Sequence, residues 1–406
     1  MATAFYDFEL GIWKDVAQYK AEVKDSPAGS CGRSKFHWPF KEDHHSLLRD
    51  LEIAVMRTHD YRGPFMSAEE GQLRDFGSAV FNAVFGVPRI RTLYEDSLGM
   101  AQRDGRTLRL KLRVDPPELA ILPWEYVYDS VRTKQFVCLD RDHALVRFYA
   151  GGRPRPMPAG RRLRILVMIS DPTGSGLDTE AERNSIDRAF RKVSGESHEC
   201  RWVQGESVDD LRDALREGPW DIFHFIGHGG LDTVADAANQ KHAVGYLLMR
   251  PGKNVLLQNP AAREEKVYPS RLSAMLRMAE VRLAVLNCCD SGRGVGISSL
   301  AATLVQATVP LAVGMQFPIS NSAALEFSDQ FYRVLANGSS VEHALRKARE
   351  AIAASCGLEW GSPVLFTHSE AEPMFDVMGT GPAPAAESAP PELSAAERHF
   401  RDLWGR

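Results

Sequence analysis

The sequence predicts an α/β protein: a mostly parallel sheet with helices on both faces, preceded by an N-terminal α+β subdomain. Three observations predict it. In the second half, apolar runs at 163–169, 222–226, 283–286 and 311–315 alternate with helical patterns. Near-continuous apolar strands separated by helices mark a parallel sheet buried on both sides. The first half mixes strand and helix signals without that regular alternation. Finally, 406 residues with 44% apolar and 25% charged content are ordinary for a globular chain of two or three domains.

Taken in order, residues 6–13 and 19–23 read as strands, and three helical patterns follow. The clearest begins at Ser67, with Glu70 three residues on as a capping box. Its apolar positions Leu73, Phe76, Val80, Val84 and Phe85 form one stripe, and Gly86 and Pro88 end it. Residues 107–114 alternate Leu108, Leu110, Leu112 and Val114 with basic residues, the pattern of a half-buried strand. A turn-rich connection over 116–125 leads to a strand at 144–149. The Gly- and Pro-dense stretch 151–160 is the linker, so residues 1–155 form the first unit and 161–377 the second. There, a helix from Thr179 is boxed by Glu182 and turns Ile186, Phe190 and Val193 inward. A less regular stretch at 231–268 contains a hairpin with a strand at 246–249. The last strand is 364–367. Residues 379–406 read as a Pro/Ala-rich linker ending in a short helix that carries Phe400, Leu403 and Trp404 on one side.

Bulk properties narrow the function. A formal net charge of −4 gives no electrostatic case for nucleic acid. No apolar run reaches the about 18 residues that span a bilayer, and no signal peptide is legible, so no membrane partner is expected. The six cysteines are sparse, and only Cys288 and Cys289 are close together, which is not a disulfide framework. The reading is cytoplasmic, where a reactive thiol stays reduced.

Ligands of an open parallel sheet bind beyond the carboxyl ends of its strands. Two strands end there in reactive groups. One runs into Gly227-His228-Gly229-Gly230, the other into Asn287-Cys288-Cys289-Asp290. A free thiol near pKa 8.5 is only a few per cent thiolate at neutral pH, so a nucleophilic cysteine needs a neighbouring base. Glycines beside the histidine let a substrate backbone approach. Alone, such a histidine is more often structural than catalytic, and a lone buried cysteine usually packs as a small hydrophobe. The joint placement favours catalysis. Two other classes fit less well. Gly292-Arg-Gly294-Val-Gly296 imitates a dinucleotide turn but has Ile297 where glycine is required. A zinc site from His224, His228, Cys288 and Cys289 has neither a helical metalloprotease motif nor a CxxC pair. No cofactor or metal is expected.

The blocks His224-Phe-Ile-Gly-His-Gly229 and Val285-Leu-Asn-Cys-Cys-Asp-Ser291 resemble the CHAT-domain family, a caspase-like branch of the clan that includes separases, metacaspases and caspases. Leu112–Leu119, Leu122-Pro-Trp-Glu125, Ala312-Val-Gly-Met-Gln316, Phe331-Tyr332 and Ala348–Ala351 within the run 345–352 extend the resemblance to about residues 6–375. It implies a cysteine endopeptidase with His228 as base and Cys289 as nucleophile. The doubled cysteine is a departure, since a shift of one residue would choose Cys288. Strand alternation lets only one of the two meet His228. By analogy with caspases, the oxyanion hole is formed by the N–H groups of Gly229 and Cys289. In basic-specific relatives the residue two before the cysteine is acidic; here it is Asn287. Asp171, in the loop after the first sheet strand, is a candidate for the substrate pocket with Asn287 and Asp290, against a turn or capping role for Asp171 and Asp178.

The resemblance further implies a bacterial stress or antiphage-defence effector that cleaves a specific partner protein. With no helical-repeat sensor legible, it implies regulation by a protein acting in trans or by rearrangement of 231–268. The alternative is a catalytically silent interaction protein on the same fold.

Overall fold

The computed structural model describes residues 5–16, 18–41, 43–58, 67–149, 162–174, 178–191, 198–235, 241–288, 295–307 and 309–368. Its first half contains strands β1 (Phe5–Asp15), β2 (Gln18–Asp25) and β3 (Cys31–Phe36) and helices α1 (His44–Arg57), α2 (Ala68–Phe85) and α3 (Pro88–Arg103). Then come β4 (Thr107–Val114), the single-turn α4 (Pro117–Ala120), the short pair β5 (Tyr128–Asp129) and β6 (Gln135–Phe136), and β7 (His143–Phe148). The second half runs β8 (Leu163–Ser170), α5 (Thr179–Arg191), β9 (His198–Trp202), α6 (Val208–Leu215), β10 (Ile222–Ala235), β11 (Lys241–Met249), α7 (Lys253–Gln258) and β12 (Glu265–Val267). It closes with α8 (Pro269–Met278), β13 (Leu283–Cys288), α9 (Val295–Ala307), β14 (Leu311–Met315), α10 (Asn321–Ala336), α11 (Val341–Ser355) and β15 (Pro363–Thr367).

Local chemistry explains the helix ends. Ser67 caps α2 by accepting the Glu70 N–H, and Pro88 occupies the first turn of α3, where its missing N–H costs nothing. Asp43 caps α1, so the neighbouring His44 and His45 are helix-start residues. The predicted box at α5 takes a different form. Asp178, not Thr179, accepts the Ala181 N–H, and the Glu182 side chain turns away into the interior.

Thirteen strands form one sheet in the order β12-β11-β10-β13-β14-β15-β7-β4-β1-β2-β3, with β8 and then β9 attached to β10. The β9-β8-β10-β13-β14 run is parallel, and β15 is antiparallel to β14. β15 also pairs with β7, through Phe366 with Arg147 and Thr367 with Phe148, so the sheet is continuous across both halves. One face is covered by α5, α10, α11 and the N-terminal helices, the other by α6, α8 and α9.

The expectation of a half-buried β4 is corrected. Arg109 and Lys111 on its second face are as buried as the leucines. Asp7 on β1 holds Arg109 through two hydrogen bonds of 2.7 and 2.9 Å, Glu342 on α11 adds a third, and Lys111 lies over the Phe148 ring. Charge pairing stands in for apolar content on that face. The stretch 231–268 is more regular than expected, because β10 continues to Ala235 and pairs with β11. Residues 151–160 and 379–406, the expected linker and tail, lie outside the described residues.

Candidate active site at the carboxyl edge of the sheet

Backbone register fixes this site. Gly227 on β10 pairs with Ser170 on β8 and with Cys288 on β13, so these three residues form the last row of parallel pairing. Beyond that row β10 does not end, although its apolar run stops at Ile226. It carries on, and antiparallel pairing begins at His228 with Leu248, followed by Gly229 with Leu247. The glycines serve close packing. A Cβ at Gly227 would lie 2.4 Å from the Ser170 carbonyl oxygen, and one at Gly230 would lie 2.5 Å from the Tyr246 hydroxyl.

His228 and Asp171 each follow a residue of that row, and they meet. His228 Nε2 is 3.3 Å from Asp171 Oδ1, and both side chains are 15% exposed. Asp171 is fixed from several sides. Its N–H donates to Glu206, the Thr173 hydroxyl donates to its carboxylate, and the Gly174 N–H closes a turn onto its carbonyl. Gly174 has φ +64°, where glycine is favoured. Glu206 is in turn paired with Arg250 at 3.0 Å.

Side-chain alternation sorts the remaining candidates. On β13, Leu283 and Val285 belong to the core under α5 and α10, whereas Ala284, Leu286 and Cys288 belong to the core under α6, α8 and α9. Cys288 is 1% exposed and packed on the latter face. Asn287 is on the former face, fully buried, and its Nδ2 donates to Glu182 at 3.3 Å. His224 is on that face too, fully buried, with the Tyr332 hydroxyl 2.9 Å from its Nδ1. Burial pulls the His224 pKa down to about 3, so the ring is neutral at physiological pH. His224 and Cys288 are on opposite faces and cannot ligate one ion. Cys289, Asp290 and residues 291–294 lie outside the described residues.

Sequence reasoning missed Glu182. Its position three residues into the helix predicts a cap partner, yet its carboxyl is almost wholly buried against Asn287 and Ser328. Burial pushes its pKa up to about 7, and Asp178 adds to the effect. The signal was available, because Glu182 stands four residues before Ile186 and eight before Phe190, in line with the apolar stripe.

The sheet, with its parallel core around β8, β10, β13 and β14 and helices on both faces, is a caspase-like α/β fold. The chain belongs to the CHAT domain family, which it matches over residues 74–391. No curated protein was found to match it. Among solved structures it is similar to the Arg-specific cysteine proteinase gingipain R, at 9% identity and a TM-score of 0.42, over 82% of this chain and 79% of that one. It is also similar to separase in the Saccharomyces cerevisiae separase–securin complex, at 12% identity and a TM-score of 0.37. That match covers 81% of this chain but 22% of the other, so the chain spans about a fifth of that length.

Proposed function

We propose that the protein is a cysteine endopeptidase acting through His228 and Cys289 on a partner protein. The carrying observation is the His228–Asp171 contact just past the row Ser170–Gly227–Cys288. Cys289 is the next residue after Cys288 in the chain, and Cys288 itself packs on the face opposite Ile226, the face to which strand alternation assigns His228. This supports the register in which Cys289 is the nucleophile.

In this mechanism Asp171 holds Nε2 of the imidazole, and Nδ1 accepts the Cys289 proton. The thiolate attacks the scissile carbonyl carbon. A C–S bond forms, and the carbonyl electron pair moves to oxygen, where the N–H groups of Gly229 and Cys289 receive it. Collapse breaks the C–N bond, and the amine leaves with the proton from His228. Water then attacks the thioester, gives its proton to His228 and releases the acid, and the proton returns to sulfur. Asp171 thus acts as a positioning group for the base, and Asp290, next after Cys289 in the sequence, is the remaining pocket candidate, since Asn287 is fully buried against Glu182. A regulatory protein acting in trans, and a role in stress or antiphage defence, are part of the same family-based proposal. Among the described residues no helix is long and apolar enough to cross a membrane.

Iodoacetamide labelling followed by peptide mass mapping tests the pairing without a known substrate. Cys289 should label faster than Cys288, and His228→Ala should slow it by about 10²-fold, in the range of general-base contributions. Labelling of Cys289 that is indifferent to His228 would sink the proposal.

A further inference from the structure

Asn287 is the last-but-one residue of β13, two residues before Cys289, and its hydrogen bonding is half complete. Nδ2 donates to Glu182 Oε1 at 3.3 Å, but Oδ1 is fully buried with no partner among the described residues. Across from it, the Ser328 hydroxyl donates to Glu182 Oε2 at 3.4 Å. Both bonds are long. A buried acceptor without a donor costs about 1–3 kcal/mol, and a buried carboxylate without a cation costs more. A single proton resolves both problems. A carboxylic acid facing a primary amide makes two bonds at once, N–H to one carboxyl oxygen and O–H from the other to the amide oxygen.

We propose that Glu182 is a positioning residue for the nucleophile: as the neutral acid it locks the Asn287 amide in a two-point pair, and losing its proton releases the strand end that carries Cys289. The proposal rests on the peptidase reading and extends it with a built-in pH dependence.

Burial favours the proton, and it outweighs the bonds from Ser328 and Asn287, which pull the other way. Asp178, at the start of the same helix, is the charged group that acts on Glu182, and it opposes ionisation. From α10 come the Ser328 and Tyr332 hydroxyls; the Tyr332 phenol is pushed well above its usual range by burial and in part by Glu182 itself. Behind Tyr332, His224 on β10 is neutral, and Cys200 on β9, raised to about 12 by burial, stays a thiol. Arg188, from α5, is engaged by Asp329 at 4.0 Å. Glu182 therefore titrates at about pH 7, against an ordinary value of 4.5.

Glu182→Gln tests this, because a glutamine carboxamide makes the same two-point pair at every pH. The full chain, its Glu182→Gln and Glu182→Ala variants, and His228→Ala are alkylated with iodoacetamide from about pH 5.5 to 8.5, and the Cys289 rate is read by mass spectrometry. Wild type and Glu182→Gln should react alike at the acidic end. Above neutrality Glu182→Gln should pull ahead severalfold, while Glu182→Ala should be slow throughout. Thermal unfolding over the same range gives a readout that does not involve the thiol. Because the folded-state pKa is raised, the wild type should lose stability relative to Glu182→Gln as pH rises from about 4.5 to about 7, and no further above that. A constant rate ratio across the range would overturn the role of Glu182 and leave the peptidase reading standing. Wild-type labelling no faster than a free thiol and unchanged by His228→Ala would overturn that reading, and this role with it.

Discussion

His228 reaches Asp171 because β8 and β10 run parallel and in step, so the residue after Ser170 lies beside the residue after Gly227. The consequence is specific to side-chain chemistry. A carboxylate at Nε2 fixes the ring orientation and favours the tautomer that leaves the other nitrogen as acceptor. Asp171→Asn keeps the shape and removes the charge, so it should lower the turnover number on the order of 10²-fold with little change in KM, as expected when a base is misoriented. Steady-state kinetics on any cleaved peptide would check this, and a change confined to KM would instead make Asp171 a pocket residue. Sequence reading offers Asp171 as a pocket candidate or a turn residue; that it faces His228 depends on register between strands far apart in the chain. Glu182 was harder to read. A glutamate three residues into a helix reads first as a cap partner, and only the tertiary partners Asn287 and Ser328 show it turned inward.

Among the elements, most strands and helices were legible because their apolar periods are clean. The strand read at 107–114 is β4, and that at 311–315 is β14. What was not legible is whatever non-local pairing decides. Gly227–Gly230 has turn composition, yet β10 runs through it, since pairing with β11 gives the backbone partners that a loop would have left to solvent. The blocks Leu122–Glu125 and Ala312–Gln316 carried the family resemblance without a visible reason. Their ends meet in the structure. Glu125 receives Arg147 of β7 through bonds of 3.0 and 2.8 Å, and Gln316, just past β14, donates to Glu125 at 2.9 Å and to the Gly361 carbonyl at 2.7 Å. Burial opposes the Glu125 charge, but the Arg147 guanidinium overrides it and holds the pKa below the usual range. Removing one partner of such a pair strands the other charge. Arg147→Met should therefore cost about 3–5 kcal/mol in urea unfolding, and the double change with Glu125→Leu should recover much of it. A single substitution costing under about 1 kcal/mol would show that this cluster is peripheral to stability.

For the molecule as a whole, one sheet connects the N-terminal strands to the site-bearing ones through the β15–β7 pairing. Two buried ionisable groups on the same covered face also pull its stability in opposite directions with pH. Glu182, with its raised pKa, favours the fold below neutrality. His224, with its depressed pKa, disfavours the fold as pH falls below about 6.5, because the unfolded chain then takes up a proton that the folded one refuses. The wild-type profile therefore shows the difference between the two, which is why Glu182 is compared with its own Gln variant.

Cleavage itself is the most direct test of the account. The wild-type chain, Cys289→Ala and Cys288→Ala would be incubated with a peptide library and candidate partner proteins, and the cut sites read by mass spectrometry. The account predicts cleavage by wild type and Cys288→Ala and none by Cys289→Ala. Cleavage that survives Cys289→Ala, or is lost only with Cys288→Ala, would contradict it.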